Sequence, residues 1–315
     1  KVTLMKNGQG VNTKNAPIVE GRPGLLRVSV APASGFQSRT LAAMLELSSS
    51  DPAVKSQTVS QQVSGSLRDS QLGSTFNFQL GADQITGDLA FKVSLHEPSG
   101  GSVGSVQGGV VWPSSGTANL GAKTTGPVRL VIVHFIYNAD GSGRQPDVSN
   151  EQMQRYHDIV WAMYPTTKVD LSLREPVNYN KYVSAGSGWS TWLDTLCDLR
   201  MADKVDPKTY YYGVMAPKAS WSSYGSGIAG LGNVPSATYN WGRCSVGLGF
   251  KGADTNGFIM AHELGHTHGR PHAPGDRLLA LDPPAAPTVA AALADDLAGA
   301  GAGVAGTADA EEALL

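Results

Sequence analysis

Short apolar runs separated by polar segments mark the first part of the chain. Residues rich in Ser, Gly, Gln and Thr surround these runs, which fall at Gly24–Val30, Leu41–Leu47, Thr75–Leu80 and Leu89–Leu95. Runs this short, bounded by turn-forming residues, predict β-strands. Residues 98–125 are rich in Gly and Ser, which favours either a linker or a loose final strand. We therefore expect residues 1–125 to form a β-rich, sandwich-like accessory domain with its linker.

The pattern changes after residue 125. Residues 128–137 are almost all apolar, as in a strand that is covered on both faces. A helix is expected to begin at Ser149, because Gln152 three residues later completes a capping box. The apolar face of this helix is predicted to consist of Met153, Tyr156, Val160 and Met163.

Two more strands and a second helix follow along the chain. Apolar residues alternate over 169–173 and form a run over 210–216, and between them Trp and Leu recur at helical spacing over 189–199. The order strand, helix, strand, helix, strand predicts a mixed α/β domain with a mainly parallel sheet, which we expect to span 126–275. The fold class expected for the whole chain is therefore α+β.

Residues 276–315 differ from both domains. They contain 14 alanines, seven acidic residues and one basic residue, and they contain no aromatic residue. This composition provides too little large apolar surface to offset the entropy of ordering the backbone. A tail that is disordered or partly helical is therefore predicted.

Composition and charge exclude some classes of function. The 315 residues suit about two domains, and only 16% of them are charged. The net charge is −2 without a long basic run, so nucleic acid is not an expected partner. No apolar stretch is long enough to predict a membrane-spanning helix. Cys197 and Cys244 could form a disulfide bond, be buried as thiols, or contribute one metal ligand.

Four of the seven histidines lie between residues 262 and 272, in the sequence HELGHTHGRPH. On a helix, His262 and His266 lie one turn apart on the same face, so both imidazoles can reach one metal ion. Glu263 lies about 100° further round the helix and can reach a water on the open side of that ion. His268 lies about 200° from His266, so we expect it to point away from the metal-facing side.

The residues that follow favour a return of the chain towards the helix. Gly269 permits the left-handed conformation that ends a helix, and Pro271 discourages its continuation. His272 can then supply a third nitrogen ligand. Three imidazoles and one open position are typical of catalytic zinc. The sequence therefore predicts a zinc ion bound by three histidines, with Glu263 as the general base in amide hydrolysis.

The segment from His262 to His272 matches the motif H-E-x-x-H-x-x-G-x-x-H in full and resembles the metzincin clan of zinc endopeptidases. The resemblance extends over about residues 128–275. It implies that His262, His266 and His272 are the zinc ligands and that Glu263 is the catalytic base.

The same resemblance implies that an edge strand lines the active-site cleft and pairs with an extended substrate. Gly227–Val234 occupies the corresponding place in the sequence, so we expect Ala229, Gly230 and Leu231 to bind substrate. The alternative is an ordinary flexible loop. Metzincins also carry a methionine turn downstream of the third histidine, whereas no Met follows Met260 here, and we expect a catalytic domain truncated after His272.

Three functions follow from these features. The leading expectation is a secreted bacterial zinc endopeptidase that hydrolyses proteins or glycoproteins. The missing methionine turn motivates an alternative, a catalytically inactive zinc-binding or adhesion protein derived from such a protease. A third possibility is zinc-dependent hydrolysis of small non-peptide amides.

Overall fold

A computed structural model describes residues 3–6, 9–51, 54–65, 71–98, 111–235, 241–272, 308–309 and 313–314. The chain divides into two compact units, one formed by residues 1–125 with 294–315 and the other by residues 126–293. Within the described residues, four α-helices combine with several β-sheets, which confirms the predicted α+β class.

The first unit is built from short strands. They are β1 (Met5–Lys6), β2 (Gln9–Gly10), β3 (Ile18–Val19), β4 (Gly24–Val30), β5 (Arg39–Ser48), β6 (Gln57–Val63), β7 (Phe76–Leu80), β8 (Ala90–His96), β9 (Val111–Trp112), β10 (Ala118–Asn119) and β11 (Ala122–Lys123). One sheet has the order β10-β8-β5-β6, with β9 also paired to β8, and another pairs β4 with β7. Apolar side chains from both sheets, such as Phe78 of β7 and Phe91 of β8, share one core.

All four strands predicted for this unit are present, as β4, β5, β7 and β8. The sequence does not predict β6, because the polar residues Gln57 and Gln61 occupy half-buried positions of this strand. In the described part of residues 98–125, β9, β10 and β11 form, and Leu120 is buried in the core. This part of the segment therefore belongs to the folded unit.

The second unit is a five-stranded sheet with helices on both faces. Its elements are β12 (Val128–Tyr137), α1 (Asn150–Met163), β13 (Val169–Tyr179), α2 (Trp189–Ala202), β14 (Thr209–Met215), α3 (Trp221–Tyr224), β15 (Gly230–Gly232), β16 (Cys244–Leu248) and α4 (Thr255–Thr267). The strand order is β13-β12-β14-β16-β15. The first four strands run parallel and β15 is antiparallel to β16, so β15 is the outermost strand on its side of the described sheet.

The strands of this sheet contribute side chains to two cores. Ile132 belongs to the same core as Val160 of α1 and Met260 of α4, and we name this side the α4 face. Phe135 packs with Trp192 of α2 on the opposite side, which we name the α2 face. The near-continuous apolar pattern of β12 is explained by this coverage on both faces.

Helix α1 begins as predicted but differs in its details. The Ser149 side chain accepts a hydrogen bond from the backbone N–H of Gln152 at 3.2 Å. In the predicted capping box, the Ser149 N–H would donate to the Gln152 side chain. In the structure this N–H donates to the Asp147 side chain at 3.1 Å instead. The prediction that Met163 lies on the apolar face is wrong, because the buried positions follow steps of four from Gln152 and leave Met163 56% exposed.

A disulfide bond joins Cys197 of α2 to Cys244 of β16. The two Cα atoms are 5.6 Å apart, a usual separation for such a bond. Of the three roles that the sequence left open for these cysteines, the structure therefore has the disulfide. It ties helix α2 to the sheet on the α2 face.

Two short strands close the described part of the chain, β17 (Ala308–Asp309) and β18 (Ala313–Leu314). Both pair antiparallel with β4. These four residues are extended, and the disordered or partly helical tail over residues 276–315 stays a prediction. The rest of residues 276–315 lies outside the described residues.

Candidate metal centre

Helix α4 carries the histidine motif and is anchored at two points. The Asn256 side chain donates to the Phe250 carbonyl at 2.8 Å in a buried contact near the start of the helix. The Tyr164 hydroxyl donates to the Ala261 carbonyl at 2.6 Å. These bonds hold the helix at its start and at the residue before His262.

The helix ends in a Schellman motif. Gly269 has a φ of +82°, a conformation that glycine adopts without steric penalty. Its N–H donates to the His266 carbonyl at 2.8 Å, and the Arg270 N–H donates to the Gly265 carbonyl at 3.2 Å. The turn reverses the chain, so that His272 returns towards the helix.

His262, His266 and His272 meet at one place. Nε2 of His272 lies 3.1 Å from Nε2 of His262 and 3.1 Å from Nε2 of His266. The candidate ligand atoms of all three residues lie within 4.8 Å of one another. Two nitrogens bound to one tetrahedral zinc ion are roughly 3.3 Å apart, given bond lengths of about 2.0–2.1 Å. Two of the three separations are close to this value, so the imidazoles could hold a single zinc ion.

The orientation of His266 also suits a metal site. Nδ1 of His266 lies 2.7 Å from the Arg270 carbonyl, which can only accept a hydrogen bond, so in the neutral ring Nδ1 carries the proton and Nε2 is left with the lone pair. Burial, together with the charges of His266 and His272, lowers the pKa of His262. Neutral imidazoles with free lone pairs are the form that binds zinc.

Glu263 is buried against the edge strand β15. The residue is 7% exposed, and burial raises the pKa of its carboxyl group to about 8. A Cβ atom on Gly230 would lie 2.5 Å from Oε1 of Glu263, whereas one on Gly232 would lie 2.6 Å from the backbone carbonyl oxygen of Glu263 and 3.2 Å from Oε2. Gly230 therefore leaves the space that the carboxyl group occupies, and Gly232 leaves space mainly for the backbone of helix α4.

Strand β15 presents main-chain groups at its outer edge. The Leu248 N–H donates to the Ala229 carbonyl at 3.0 Å, and Leu231 lies opposite Val246 in the ladder. Because bonding alternates along an antiparallel pair, Ala229 and Leu231 bond to β16, whereas Gly230 and Gly232 direct their N–H and C=O groups outward. Of the residues expected to bind substrate, only Gly230 has this outward orientation, and the sequence analysis omitted Gly232.

His268 stands apart from the three converging histidines, as expected from its position on the helix. Its Nδ1 lies 2.8 Å from the Leu264 carbonyl, and its ring stacks on Tyr210. Sequence reasoning missed Tyr210 and Tyr164, because both lie far from the motif in the chain. The only feature of the sequence that could have pointed to these two tyrosines is their position at the ends of predicted elements.

No protein-family model matches this sequence, and a search of the curated proteins finds no similar chain. Among the helices that the structure describes, none is long and apolar enough to cross a membrane. The proposed function therefore rests on the histidine motif, on Glu263 and on the geometry of the site that they form.

Proposed function

We propose that this protein is a zinc-dependent endopeptidase that hydrolyses proteins or glycoproteins. One observation carries the proposal. Three imidazole Nε2 atoms converge beside helix α4, and the buried carboxyl group of the same helix lies against an outward-facing strand edge. The match to the metzincin motif supports the same function.

His262, His266 and His272 would hold the zinc ion. When bound, zinc supplies a Lewis acid that lowers the pKa of a water molecule and polarises a carbonyl oxygen. Three neutral imidazoles suit zinc better than calcium or magnesium, which prefer oxygen ligands. A positive charge beside Glu263 would also favour its ionised form, which burial alone disfavours.

Glu263 would perform the proton transfers. One of its carboxylate oxygens accepts a proton from the attacking water as the new C–O bond forms at the peptide carbonyl carbon. The same carboxyl group then delivers that proton to the leaving nitrogen as the C–N bond breaks. The reaction therefore consumes one water and needs no covalent enzyme intermediate.

The edge of β15 would bind the substrate. The outward N–H and C=O groups of Gly230 and Gly232 can pair with an extended peptide as if it were a further strand. A peptide held there would lie next to Glu263, which contacts the same two glycines. This arrangement favours a polypeptide substrate over a small amide.

Secretion belongs to the same proposal. A disulfide bond such as Cys197–Cys244 persists in oxidising compartments and is rare in the cytosol. The composition, with few charged residues and many Gly, Ser and Thr residues, supports the same proposal. We therefore propose an exported enzyme.

Cleavage of quenched fluorescent peptides by the zinc-loaded full chain tests the proposal. The expected result is turnover that a chelator abolishes and added Zn²⁺ restores. Binding of zinc without any cleavage would support the alternative of an inactive zinc-binding or adhesion protein. Hydrolysis of small amides without cleavage of peptides would support the third possibility.

A further inference from the structure

His268 is the one histidine of the motif outside the three-histidine group. Its ring lies nearly parallel to that of Tyr210, with an interplanar angle of 15° and centroids 4.3 Å apart. The Tyr164 ring lies 5.3 Å away on a tilted plane. The Nδ1 atom donates to the Leu264 carbonyl at 2.8 Å. This histidine is therefore held by two rings and one hydrogen bond.

The same two tyrosines link three elements of the second unit. Tyr210 belongs to β14, Tyr164 caps the end of α1, and His268 caps the end of α4. The Arg243 guanidinium lies 5.5 Å from the centre of the Tyr210 ring. The Tyr164 hydroxyl also donates to the Ala261 carbonyl, directly before His262. Tyr210 stacks on His268, two residues after His266. The two tyrosines therefore hold the metal-binding helix on both sides of its two histidine ligands.

The turn that begins at His268 determines where the third histidine lies. The next residue is Gly269, whose left-handed conformation reverses the chain. Arg270 follows, and its carbonyl accepts the hydrogen bond from Nδ1 of His266. A His268 ring that left Tyr210 would release the start of this turn. It would thereby loosen both the orientation of His266 and the approach of His272.

We propose that His268 is a positioning residue for the metal centre, acting through its stack on Tyr210 and not as a ligand. This inference rests on the proposed zinc site. Partners that orient metal ligands typically contribute about 10–100-fold to metal affinity. The stacking ring at position 268 carries this role, whereas the Nδ1 hydrogen bond is dispensable, because the Leu264 carbonyl also accepts from the backbone N–H of His268 at 3.2 Å.

The test measures Zn²⁺ affinity of the full chain by competition with a chromophoric chelator. His268→Ala should weaken binding by about 10–100-fold, and His268→Phe, which keeps a stacking ring, should bind nearly as tightly as the parent. The matched control is His157→Ala, which removes a histidine on α1 that pairs with Asp158, and its affinity should equal that of the parent. The visible spectrum of the Co²⁺ form should be the same for His268→Phe and the parent.

Three results would overturn the inference while leaving the zinc site intact. They are parent-like affinity in His268→Ala, affinity as weak in His268→Phe as in His268→Ala, and an altered Co²⁺ spectrum in His268→Phe. A parent chain that binds no Zn²⁺ would overturn the zinc site together with the inference. If His268→Ala does not fold, Tyr210→Leu removes the stacking surface instead and should weaken binding over the same range.

Discussion

The two faces of the sheet in the second unit use close packing for different purposes. On the α2 face, Phe135 and Trp192 meet edge to face at 5.7 Å, and the Cys197–Cys244 bond fixes the covering helix. On the α4 face, the covering helix carries a buried carboxyl group and a cluster of imidazoles. The α2 face is therefore built for stability, whereas the α4 face carries the imidazoles and the carboxyl group of the candidate site.

Glycines on the two faces show this difference most directly. A Cβ atom on Gly213 would lie 2.9 Å from Phe135 and 3.1 Å from Val246, so this glycine makes room for apolar side chains. A Cβ atom on Gly230 would lie 2.5 Å from Oε1 of Glu263 and makes room for a carboxyl group. The comparison predicts that substitutions on the α2 face lower stability, whereas substitutions near α4 lower activity.

The largest effect is expected for Glu263→Gln. The amide keeps the shape of the side chain but cannot accept the proton of water, so turnover should fall by about 10²–10⁴-fold. Peptide cleavage measures the loss, and zinc content should not change. Glu151→Gln serves as the control, because Glu151 is exposed on α1 and far along the chain from the motif. Equal turnover in Glu263→Gln and the parent would refute the role of Glu263.

The next effect concerns stability on the α2 face. Replacing both Cys197 and Cys244 by Ala opens a loop with a sequence separation of 47 residues. A loop of this size predicts a loss of roughly 2–4 kcal/mol in the free energy of unfolding. Urea unfolding measures the loss. Zinc affinity below the unfolding transition should stay at the parent value, and a large loss of affinity would contradict the separation of the two faces.

The paired glycine variants sharpen the comparison. Gly230→Ala should displace the Glu263 carboxyl group and reduce kcat by about 100-fold, as expected for a misplacement of about 1 Å. Gly213→Ala should instead lower the free energy of unfolding by roughly 1–3 kcal/mol through overpacking. Peptide kinetics and thermal unfolding of both variants provide the measurement. A reversed outcome, with Gly213→Ala inactive and Gly230→Ala active, would break the comparison.

The smallest effect is expected at Asp203, which caps α2. The Arg174 guanidinium, with a hydrogen bond from Tyr211, holds the pKa of Asp203 below its usual range. A lowered carboxyl pKa stabilises the fold above the unfolded value of about 3.9 and loses this contribution as pH falls through the folded pKa. Asp203→Asn should therefore lower stability by about 0.2–1 kcal/mol at neutral pH.

The pH dependence provides the check on Asp203. The difference in Tm between the parent and Asp203→Asn should shrink as the pH falls below about 3.9 and should then vanish. A difference that persists unchanged in acid would show that the carboxylate charge is not its source. Zinc affinity at neutral pH should be the same in both proteins.

Local patterns explain which parts of the structure the sequence predicts. Strands β4 and β12 have the predicted bounds. Their apolar residues form short continuous runs, which can be recognised from the local sequence alone. Strand β16 is not predicted, since Ser245 and Gly247 interrupt its apolar residues. Its burial depends on neighbours on both sides, which are distant in sequence.

The same distinction holds for the candidate site. The three histidines and Glu263 lie between residues 262 and 272, so helix geometry and one glycine turn suffice to bring the imidazoles together. The space provided by Gly232 and the stack of His268 on Tyr210 join segments that are far apart in the chain. Such contacts depend on the packing of the whole unit, and no local pattern in the sequence indicates them.

Zinc content per chain tests the central claim most directly. Elemental mass spectrometry of the extensively dialysed full chain should find close to one zinc in the parent and in His157→Ala. His272→Ala should retain much less, because it lacks one of the three converging nitrogens. A parent without zinc, or a His272→Ala variant with as much zinc as the parent, would contradict the proposed three-histidine centre.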